Sequence, residues 1–335
     1  MKVSVVIPCF NRYIQLENTL ETLRNQTYKN FEAIIIDDAS EDEVSSIKLD
    51  RNFTLIQNQM NVGLAQTRNI GIRHSSGDLI IFLDAEMLIK PDYIENHVNL
   101  QNSIDNMVLT GSMYYYSISR RAQKYARANN IKPFTEDFEK LVQRKDYFVK
   151  HILTHYGNQM EELQIPWIAC MAGNLSVKKK LLDQSGWFDS SFKGYGWEDW
   201  ELGYRLHQCG AKFCVDPSVA CIHQEHVIGK NKGKETVENY QYFRAKHACM
   251  EVDALSLELM ETGLTLKDVN DFLTAYKQLQ NDEVKRAISE LVGFHAHSIS
   301  KKDQYLYNRT CKITSEQIPF GILRRVYLTL EELYF

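Results

Sequence analysis

The sequence of 335 residues has no cysteine framework, no excess of one charge and no long apolar run. Its 7 cysteines are scattered without a CxxC pair, which favours a reducing compartment. A formal net charge of −4 gives no global basic surface, so a nucleic-acid partner is not expected. No stretch approaches the ~20 apolar residues of a membrane-spanning helix, so any membrane contact is expected to be peripheral.

The first residues also lack the charged, apolar and cleavage regions of a signal peptide. Together with the cysteine pattern, this predicts a cytoplasmic protein, with peripheral contact at the inner face of the membrane as an open alternative. The sequence does contain what a buried core needs, because 44% of its residues are apolar and 24% are charged.

Apolar runs alternate with helical patterns from the start of the chain. Residues 3–7 and 33–36 predict buried strands, and a helical face of leucines lies between them. Further strands are predicted at 54–57 and 79–83, with a helix through 68–74 between them. Strands that alternate with helices predict a parallel sheet wrapped by helices, which is a doubly wound α/β fold.

The pattern weakens between residues 110 and 164, which is typical of an insertion or a flap. It then returns, with strands predicted at 172–177, 212–215 and 219–223. After residue 233 the sequence turns helical, and an apolar stripe at steps of three and four runs from Tyr240 to Leu257. Core packing, a homo-oligomer interface and acceptor binding stay open as roles for these C-terminal helices.

Polar residues follow the predicted strands at the edge of the sheet where ligands bind in open α/β folds. Asn11 and Arg12 follow the first strand, and Asp37 and Asp38 end the second. A carboxylate at such a strand end can accept hydrogen bonds from the N–H of a base or from ribose hydroxyls. An Asx turn or a helix cap would use the same residues, so both interpretations stay open.

Asp84 and Glu86 follow the very apolar strand at 79–83, and side chains two apart on a strand point the same way. Mg²⁺ and Mn²⁺ take carboxylate oxygens and leave positions open for phosphate, so this pair can share a cation. His223 ends another predicted strand and could add an imidazole ligand. A solvated turn would contain the same carboxylates.

Residues 194–201 read GYGWEDWE, where two tryptophans flank acidic residues that open a helix. Acidic residues are favoured at a helix N-terminus by the helix dipole, which is the structural alternative. A carboxylate beside aromatic rings also suits a sugar-binding surface with a general base, because it can accept a proton from a hydroxyl. We favour the second interpretation for Glu198 and Asp199.

These motifs, in this order, resemble the inverting glycosyltransferases of family 2, which adopt the GT-A fold. VSVVIPCFNR is similar to the family's first strand and turn, IIIDDASED to its nucleotide-binding strand end, and NVGLAQTRNIGI to the segment that follows. IIFLDAE stands at the place of the family's DxD motif. GYGWEDWELGYRL resembles the family's ED motif and the catalytic segment of galactosyltransferase and N-acetylgalactosaminyltransferase relatives.

The resemblance covers roughly residues 1–230 and implies a GT-A type mixed sheet flanked by helices, with a helical C-terminal extension. We therefore expect a catalytic domain over residues 1–232 and a helical region over 233–335. Within the first, the expected parts are a nucleotide-binding half at 1–105, an insertion or flap at 106–165 and an acceptor half at 166–232.

The resemblance also implies a nucleotide-sugar site, a metal site and a catalytic base. The residues implied around the nucleotide and the sugar are Pro8, Asn11, Arg12, Asp37, Asp38, Asn61, Arg68, Asp84, Gly173, Asn174 and Trp197. The metal, Mn²⁺ or Mg²⁺, would be held by Asp84, Glu86 and His223. Asp199, or else Glu198, would deprotonate the acceptor hydroxyl. The implied donor is a nucleotide-sugar, most often of UDP, and the implied acceptor is a glycan, a lipid-linked sugar or a protein.

One residue departs from the family pattern, because Glu86 replaces the usual final aspartate of the DxD motif. Its longer arm keeps a carboxylate but changes where that carboxylate reaches. Two alternatives remain: an inactive protein that only binds nucleotide-sugars, and a nucleotidyltransferase. The second would need a basic, glycine-rich loop after the first strand, which PCFNR does not provide.

Overall fold

The computed structural model describes residues 1–116, 144–145, 160, 162–224, 232–259, 262–299, 315–319 and 321–334. Most of the insertion expected at 106–165 lies outside these residues. The chain divides into two compact units. The first comprises Met1–Glu161 and Pro166–Lys230, and the second comprises Glu162–Ile165 and Asn231–Phe335.

Strands of the first unit form one mixed sheet. They are β1 (Val3–Cys9), β2 (Phe31–Asp37), β3 (Phe53–Gln57), β4 (Leu79–Leu83), β5 (Met87–Ile89), β6 (Met107–Tyr116), β7 (Arg144–Lys145), β8 (Asn174–Lys178) and β9 (Lys212–His223). The order across the sheet is β3-β2-β1-β4-β8-β6-β9-β5, with β7 paired to β6. The expected mixed α/β sheet flanked by helices is confirmed.

The first four strands are parallel neighbours, and β8 pairs antiparallel to β4. Every residue of β1 and of β4 is buried. Strands covered by helices on both faces need such continuous apolar runs, which explains VSVVI and LIIFL. Because β1, β2 and β4 run in the same direction, the loops that follow them lie at one edge of the sheet.

The helices of the first unit are α1 (Tyr13–Arg24), α2 (Leu64–His74), α3 (Tyr93–Ser103), α4 (Lys179–Ser185) and α5 (Glu198–Gln208). Single turns of 3₁₀ helix lie at Glu43–Ser46 and Pro166–Ala169. α2 differs from an ordinary amphipathic helix, because two of its buried residues are the polar Arg68 and Asn69. A buried polar side chain needs hydrogen-bond partners, and the site described below supplies them.

The prediction of two separate strands at 212–215 and 219–223 was wrong, since one strand, β9, runs through both. β6 pairs with β9 along its length, and the register shifts between Gly111 and Met113. This irregularity accommodates Asp216, Pro217 and Ser218, which lie between the two predicted strands. The continuous strand carries His223 back to the edge where β5 pairs with β9.

The second unit is helical. Its helices are α6 (Lys232–Lys246), α7 (Met250–Asp253), α8 (Ser256–Leu259), α9 (Leu266–Gln278), α10 (Asp282–Ser298) and α11 (Ile322–Tyr334), with a 3₁₀ turn at Ser315–Gln317. α9 begins at a capping box, in which Thr265 and Asp268 satisfy each other's backbone N–H groups. α11 buries Leu323, Val326, Tyr327 and Leu330 within this unit, while Leu328 is exposed.

The apolar stripe from Tyr240 to Leu257 does not lie on one helix, although its steps of three and four residues predicted a continuous helical face. Cys249 is extended, with φ −143° and ψ 157°, and it separates α6 from α7. The stripe is therefore distributed over α6, α7 and α8. Tyr240, Phe243 and Leu257 are buried, while Met250 is half-buried. Among the described helices, none is long and apolar enough to cross a membrane.

Gly71 provides a test of how α2 packs on the sheet. A methyl group there would collide with Val6 Cγ1 and lie 2.9 Å from Ile36 Cδ1, in an interior without spare volume. Gly71→Ala should lower the free energy of unfolding by about 1–3 kcal/mol, although alanine favours helices. Urea denaturation measures the change. Gly233→Ala in α6, where nothing lies within 4 Å, should be neutral or stabilising, and equal midpoints for both variants would contradict this packing.

Candidate active site

The loops after β1 and β2 are joined by Asn11. Its backbone is left-handed, with φ 54°, a conformation that asparagine tolerates better than most residues. Its N–H donates to Ser40 Oγ at 2.8 Å, and its Oδ1 accepts from Glu41 N–H at 2.7 Å. Arg12 donates to Asn11 O at 2.9 Å, while Pro8 lies inside β1. Asn11 therefore sets the relative position of two loops at the sheet edge.

Asp37 stabilises the same region from the end of β2. Its carboxylate accepts from Ser40 N–H at 3.0 Å and from Gln57 Nε2 at 3.1 Å. Its side chain is thus engaged by the protein, as the Asx-turn interpretation predicts.

Asp38 holds the loop that leads into α2. Its carboxylate accepts from the N–H groups of Val62 at 2.9 Å and Gly63 at 3.0 Å, and from Asn58 Nδ2 at 2.8 Å. Asn61, which is exposed, donates to Asp38 O at 3.3 Å. Asn61 thereby lies at the same edge as Asn11 and Arg12.

Arg68 lies between the carboxylate that follows β4 and the carboxylate that begins α5. Its Nη2 is 3.1 Å from Asp84 Oδ1, and its Nη1 is 3.1 Å from Glu198 Oε1. Only 3% of the Arg68 side chain and 8% of the Glu198 side chain are exposed. We call these three residues the Arg68 network. Burial opposes the guanidinium charge, but Asp84, Glu198 and Asp199 outweigh it, and the pKa of Arg68 is raised.

The aromatic ring of Phe188 covers the Arg68 network, with the guanidinium carbon 5.3 Å from the ring centroid. Asn69 fixes this ring from α2, because its side chain accepts from Phe188 N–H at 3.0 Å and donates to Phe188 O at 2.8 Å. Sequence reasoning missed both Phe188 and Asn69. The only signal was an amide next to an arginine in a helix, which is too common to indicate a pairing 119 residues along the chain.

Asp199 lies beside the Arg68 network, at the second position of α5. Burial and the neighbouring Glu198 carboxylate raise the pKa of Asp199 to about 7, although Arg68 and the N–H groups of Trp200 and Ala172 oppose the rise. Burial likewise raises the pKa of Asp84 to about 6, against the attraction of Arg68. A carboxylate that titrates near neutral pH can both accept and release a proton there.

Trp197 and Glu201 shape the start of α5. Trp197 has a left-handed backbone, with φ 75°, and is only 6% exposed. Its ring packs edge-to-face on Trp200 with centroids 5.2 Å apart, so it does not present an open platform. Glu201 is fully buried and pairs with Arg205 at 2.7 Å, and Arg205 donates to the carbonyls of Ser185 and Trp187. Glu201 therefore has a structural role.

Glu86 and His223 meet where β5 pairs with β9. His223 Nε2 lies 3.6 Å from Glu86 Oε1, and Met87 stands opposite His223 in the ladder. Beyond β4, a Cβ on Gly173 would lie 2.8 Å from Asp84 Oδ2, so the glycine leaves space at the oxygen that Arg68 does not contact.

The donor set around Asp84 suits a divalent cation in kind, with two carboxylates and an imidazole. These side chains do not converge in the structure, since no group of three His, Cys, Asp or Glu residues placed to hold a metal occurs among the described residues. Arg68 contacts Asp84 through Oδ1, and Gly173 has no side chain beside Oδ2. A cation that binds Oδ2 therefore does not have to displace Arg68.

Asn174 was expected to contact the nucleotide or the sugar, but its side chain lies in the core. Its side chain is fully buried, accepts from Tyr93 O–H at 2.6 Å and donates to Val219 O at 3.0 Å. These bonds join β8 to α3 and β9 beneath the site, so the Asn174 amide does not face the open edge. Gly173, one residue earlier, does contact the site, because its carbonyl accepts from Asp84 N–H at 3.2 Å.

Comparison with known proteins gives one consistent family. The model of glycosyl transferase family 2 matches residues 4–160. The uncharacterized glycosyltransferase YfnE of Bacillus subtilis (strain 168) is 32% identical over 257 residues, which are 68% of this chain and 65% of YfnE. Chondroitin synthase of Escherichia coli is 30% identical over 241 residues, which are 67% of this chain and 34% of the synthase. The chain thus spans less than two thirds of either relative.

Solved structures show the same fold. S. aureus TarS 1–349 in complex with UDP-GlcNAc has a TM-score of 0.58 at 15% identity, covering 90% of this chain and 88% of that chain. GalNAc-T7 with UDP, GalNAc and Mn²⁺ has a TM-score of 0.55 at 18% identity, covering 83% and 54%. At these identities the likeness concerns the fold alone, and it confirms the expected GT-A type.

The raised pKa of Asp199 predicts how stability depends on pH. The folded state binds the proton of the Asp199 carboxyl more tightly than the unfolded state does. The contribution of this proton to the free energy of unfolding is therefore complete below about pH 4 and is lost as pH rises through about 7. Asp199→Asn removes this half-buried charge and should raise the free energy of unfolding by about 1–3 kcal/mol at about pH 8.5, with a smaller effect near pH 5. Urea titrations at both pH values measure the difference.

Asp105→Asn is the control for this prediction, because the Asp105 side chain is fully exposed and its replacement should have no comparable pH dependence. An Asp199→Asn variant that is equally destabilised at both pH values would contradict the raised pKa of Asp199.

Proposed function

The chain belongs to glycosyl transferase family 2, and we propose that it transfers a sugar from a nucleotide-sugar to an acceptor hydroxyl with inversion at the anomeric carbon. One observation carries the proposal: Asp199, whose pKa is raised to about 7, directly follows Glu198 at the start of α5, and Glu198 is held by the same arginine that contacts Asp84. A base and a donor-side carboxylate are thereby built into one site.

The donor is proposed to bind at the edge formed by the loops after β1, β2 and β4. The exposed or half-buried polar residues at this edge are Asn11, Arg12 and Asn61, with Asp37 and Asp38 fixing the backbone around them. A UDP-sugar is the proposed donor, in line with the family resemblance. Arg68 is not proposed as a nucleotide contact, because two carboxylates already occupy its guanidinium.

Asp84, Glu86 and His223 are the residues that would hold Mn²⁺ or Mg²⁺. When bound, such an ion neutralises negative charge on the departing nucleoside diphosphate. The protein's own contribution is the placement of Glu86 against His223 and the space that Gly173 leaves beside Asp84 Oδ2.

Asp199 is the proposed base, in preference to Glu198. Glu198 Oε1 is held by Arg68, and the residue is buried, so it stabilises the start of α5. Asp199 accepts from Trp200 N–H at 2.9 Å through Oδ1, which orients its carboxylate. As the acceptor oxygen attacks the anomeric carbon, its proton passes to Asp199. The bond to the diphosphate breaks on the opposite side, so a single displacement inverts the configuration.

The acceptor is proposed to be a glycan. Chondroitin synthase, which is 30% identical to this chain over 241 residues, is named for making a polysaccharide and supports this class. Lipid-linked sugars and proteins also offer hydroxyl groups and serve as separate arms of the test below.

Nucleotide-sugar turnover tests the proposed function directly. UDP-, GDP- and dTDP-sugars are incubated with Mn²⁺ and with glycan, lipid-linked sugar or peptide acceptors, and released nucleotide is measured. At least one donor should be consumed. Asp199→Asn should lower kcat by about 10²–10⁴-fold, because the general base is lost. In the unsubstituted protein kcat should fall as pH drops below about 7, where Asp199 becomes protonated.

Asp105→Asn, an exposed substitution, is the activity control and should match the unsubstituted protein. Binding of a nucleotide-sugar without any turnover, unchanged by Asp199→Asn, would favour the inactive binding protein instead.

Metal dependence is tested separately at Glu86. Activity should disappear with EDTA and return with Mn²⁺, and Glu86→Ala should raise the Mn²⁺ concentration needed for half-maximal activity about 10–100-fold. Glu86→Asp restores the common family residue and should retain most of the activity. If EDTA has no effect, or if Glu86→Ala leaves the Mn²⁺ requirement unchanged, the assignment of these ligands is wrong.

A further inference from the structure

Arg68 joins three elements that the proposed reaction uses separately. It extends from α2 and contacts the carboxylate after β4 and the carboxylate that begins α5. We infer that Arg68 is a positioning residue, which holds the start of α5 so that Asp199 faces the donor. Through its contact with Asp84, it also links the position of α5 to whether a cation is bound at that carboxylate. This inference rests on the proposed transfer reaction.

The contacts of Arg68 are specific to a planar guanidinium. Each of its two terminal nitrogens meets a different carboxylate at 3.1 Å, which a single ammonium group cannot reproduce in the same geometry. Phe188 covers one face of the group. Arg68 Nε and Glu198 Oε2 are buried and have no hydrogen-bond partner, so the network is incompletely satisfied within the protein.

The Glu198–Arg68 contact adds to the hydrogen bonds that fix the first residues of α5. The preceding residue, Trp197, makes no side-chain hydrogen bond to cap the helix, and its backbone is left-handed. The Glu201–Arg205 pair runs from the first turn of the helix to the second, and Arg205 donates to the carbonyls of Ser185 and Trp187. The Glu198–Arg68 contact is therefore an ion pair that fixes the residue directly before Asp199.

Asp84 is shared between Arg68 and the donor side. A cation bound at Asp84 Oδ2 draws negative charge away from the carboxylate whose Oδ1 contacts Arg68, so this contact weakens and the guanidinium interacts more strongly with Glu198. Donor binding should therefore order the first turn of α5. Because coupling between two sites is reciprocal, an ordered α5 also favours donor binding.

Hydrogen exchange of the α5 amides provides a readout that does not depend on activity. In protein without metal or nucleotide, the Glu201 amide, which donates to Trp197 O and closes the first turn of α5, should exchange at least about tenfold faster in Arg68→Lys than in the unsubstituted protein, which is ~1.4 kcal/mol of local stability. Amides of α3 should change little. Adding UDP with Mn²⁺ should slow exchange in α5 of the unsubstituted protein and have a much smaller effect in Arg68→Lys.

Arg68→Lys keeps the positive charge and is the variant most expected to fold, and Arg68→Met extends the series where it can be purified. Arg73→Met is the matched control, since Arg73 is an exposed arginine one turn later on the same helix and should leave α5 exchange unchanged. Unaltered α5 exchange in Arg68→Lys would overturn the inference, as would an equal UDP and Mn²⁺ response in both proteins.

Steady-state kinetics distinguish positioning from ligand contact. Arg68→Lys should lower kcat about 10–100-fold and change the donor KM less than about threefold. A raised donor KM with unchanged kcat would make Arg68 a donor-binding residue and overturn the inference. If no nucleotide-sugar is turned over by the unsubstituted protein, the proposed function fails, while the exchange experiment still decides whether Arg68 holds α5.

Discussion

A single buried guanidinium balances the carboxylates on which the site depends. Asp84 and Glu198 each lie 3.1 Å from Arg68, and Asp199 lies close enough to raise the pKa of the Arg68 guanidinium. Without Arg68, these acidic groups would repel one another in a place that water screens only in part, since Asp84 and Asp199 are half-buried. The rest of the site is arranged around this balance. α2 supplies the arginine, Asn69 fixes the ring that covers it, and the sheet brings the end of β4 within reach.

The donor edge of the sheet depends on a second set of interactions, in which acidic side chains bind the protein's own amides. Asp38 orders the residues that precede α2, and Asp37 and Asn11 join the loops after β1 and β2. Each bond is between nearby loops, so the edge is preformed before any ligand arrives. Preformed edges reduce the entropy that a ligand must lose on binding.

The strands and the loops that follow them were predictable because their signals are local. A run such as LIIFL followed by Asp84 specifies a buried strand and a polar end without reference to distant residues. The Arg68 network was not predictable, since its partners lie 16 and 130 residues away and their pairing depends on how α2 and α5 pack. Trp197 and Asn174 fit the family pattern, yet burial of one and core bonds of the other give them structural surroundings that a motif cannot reveal.

Gly173 shows how narrow the mutational tolerance of this site is. A Cβ at this position would lie 2.8 Å from Asp84 Oδ2 and 3.3 Å from Met87 Cε, so the backbone itself forms one wall beside the carboxylate. A glycine codon becomes an alanine codon by one nucleotide change. Evolution therefore has a one-step route to a protein that keeps this sheet and its helices but has less room at Asp84.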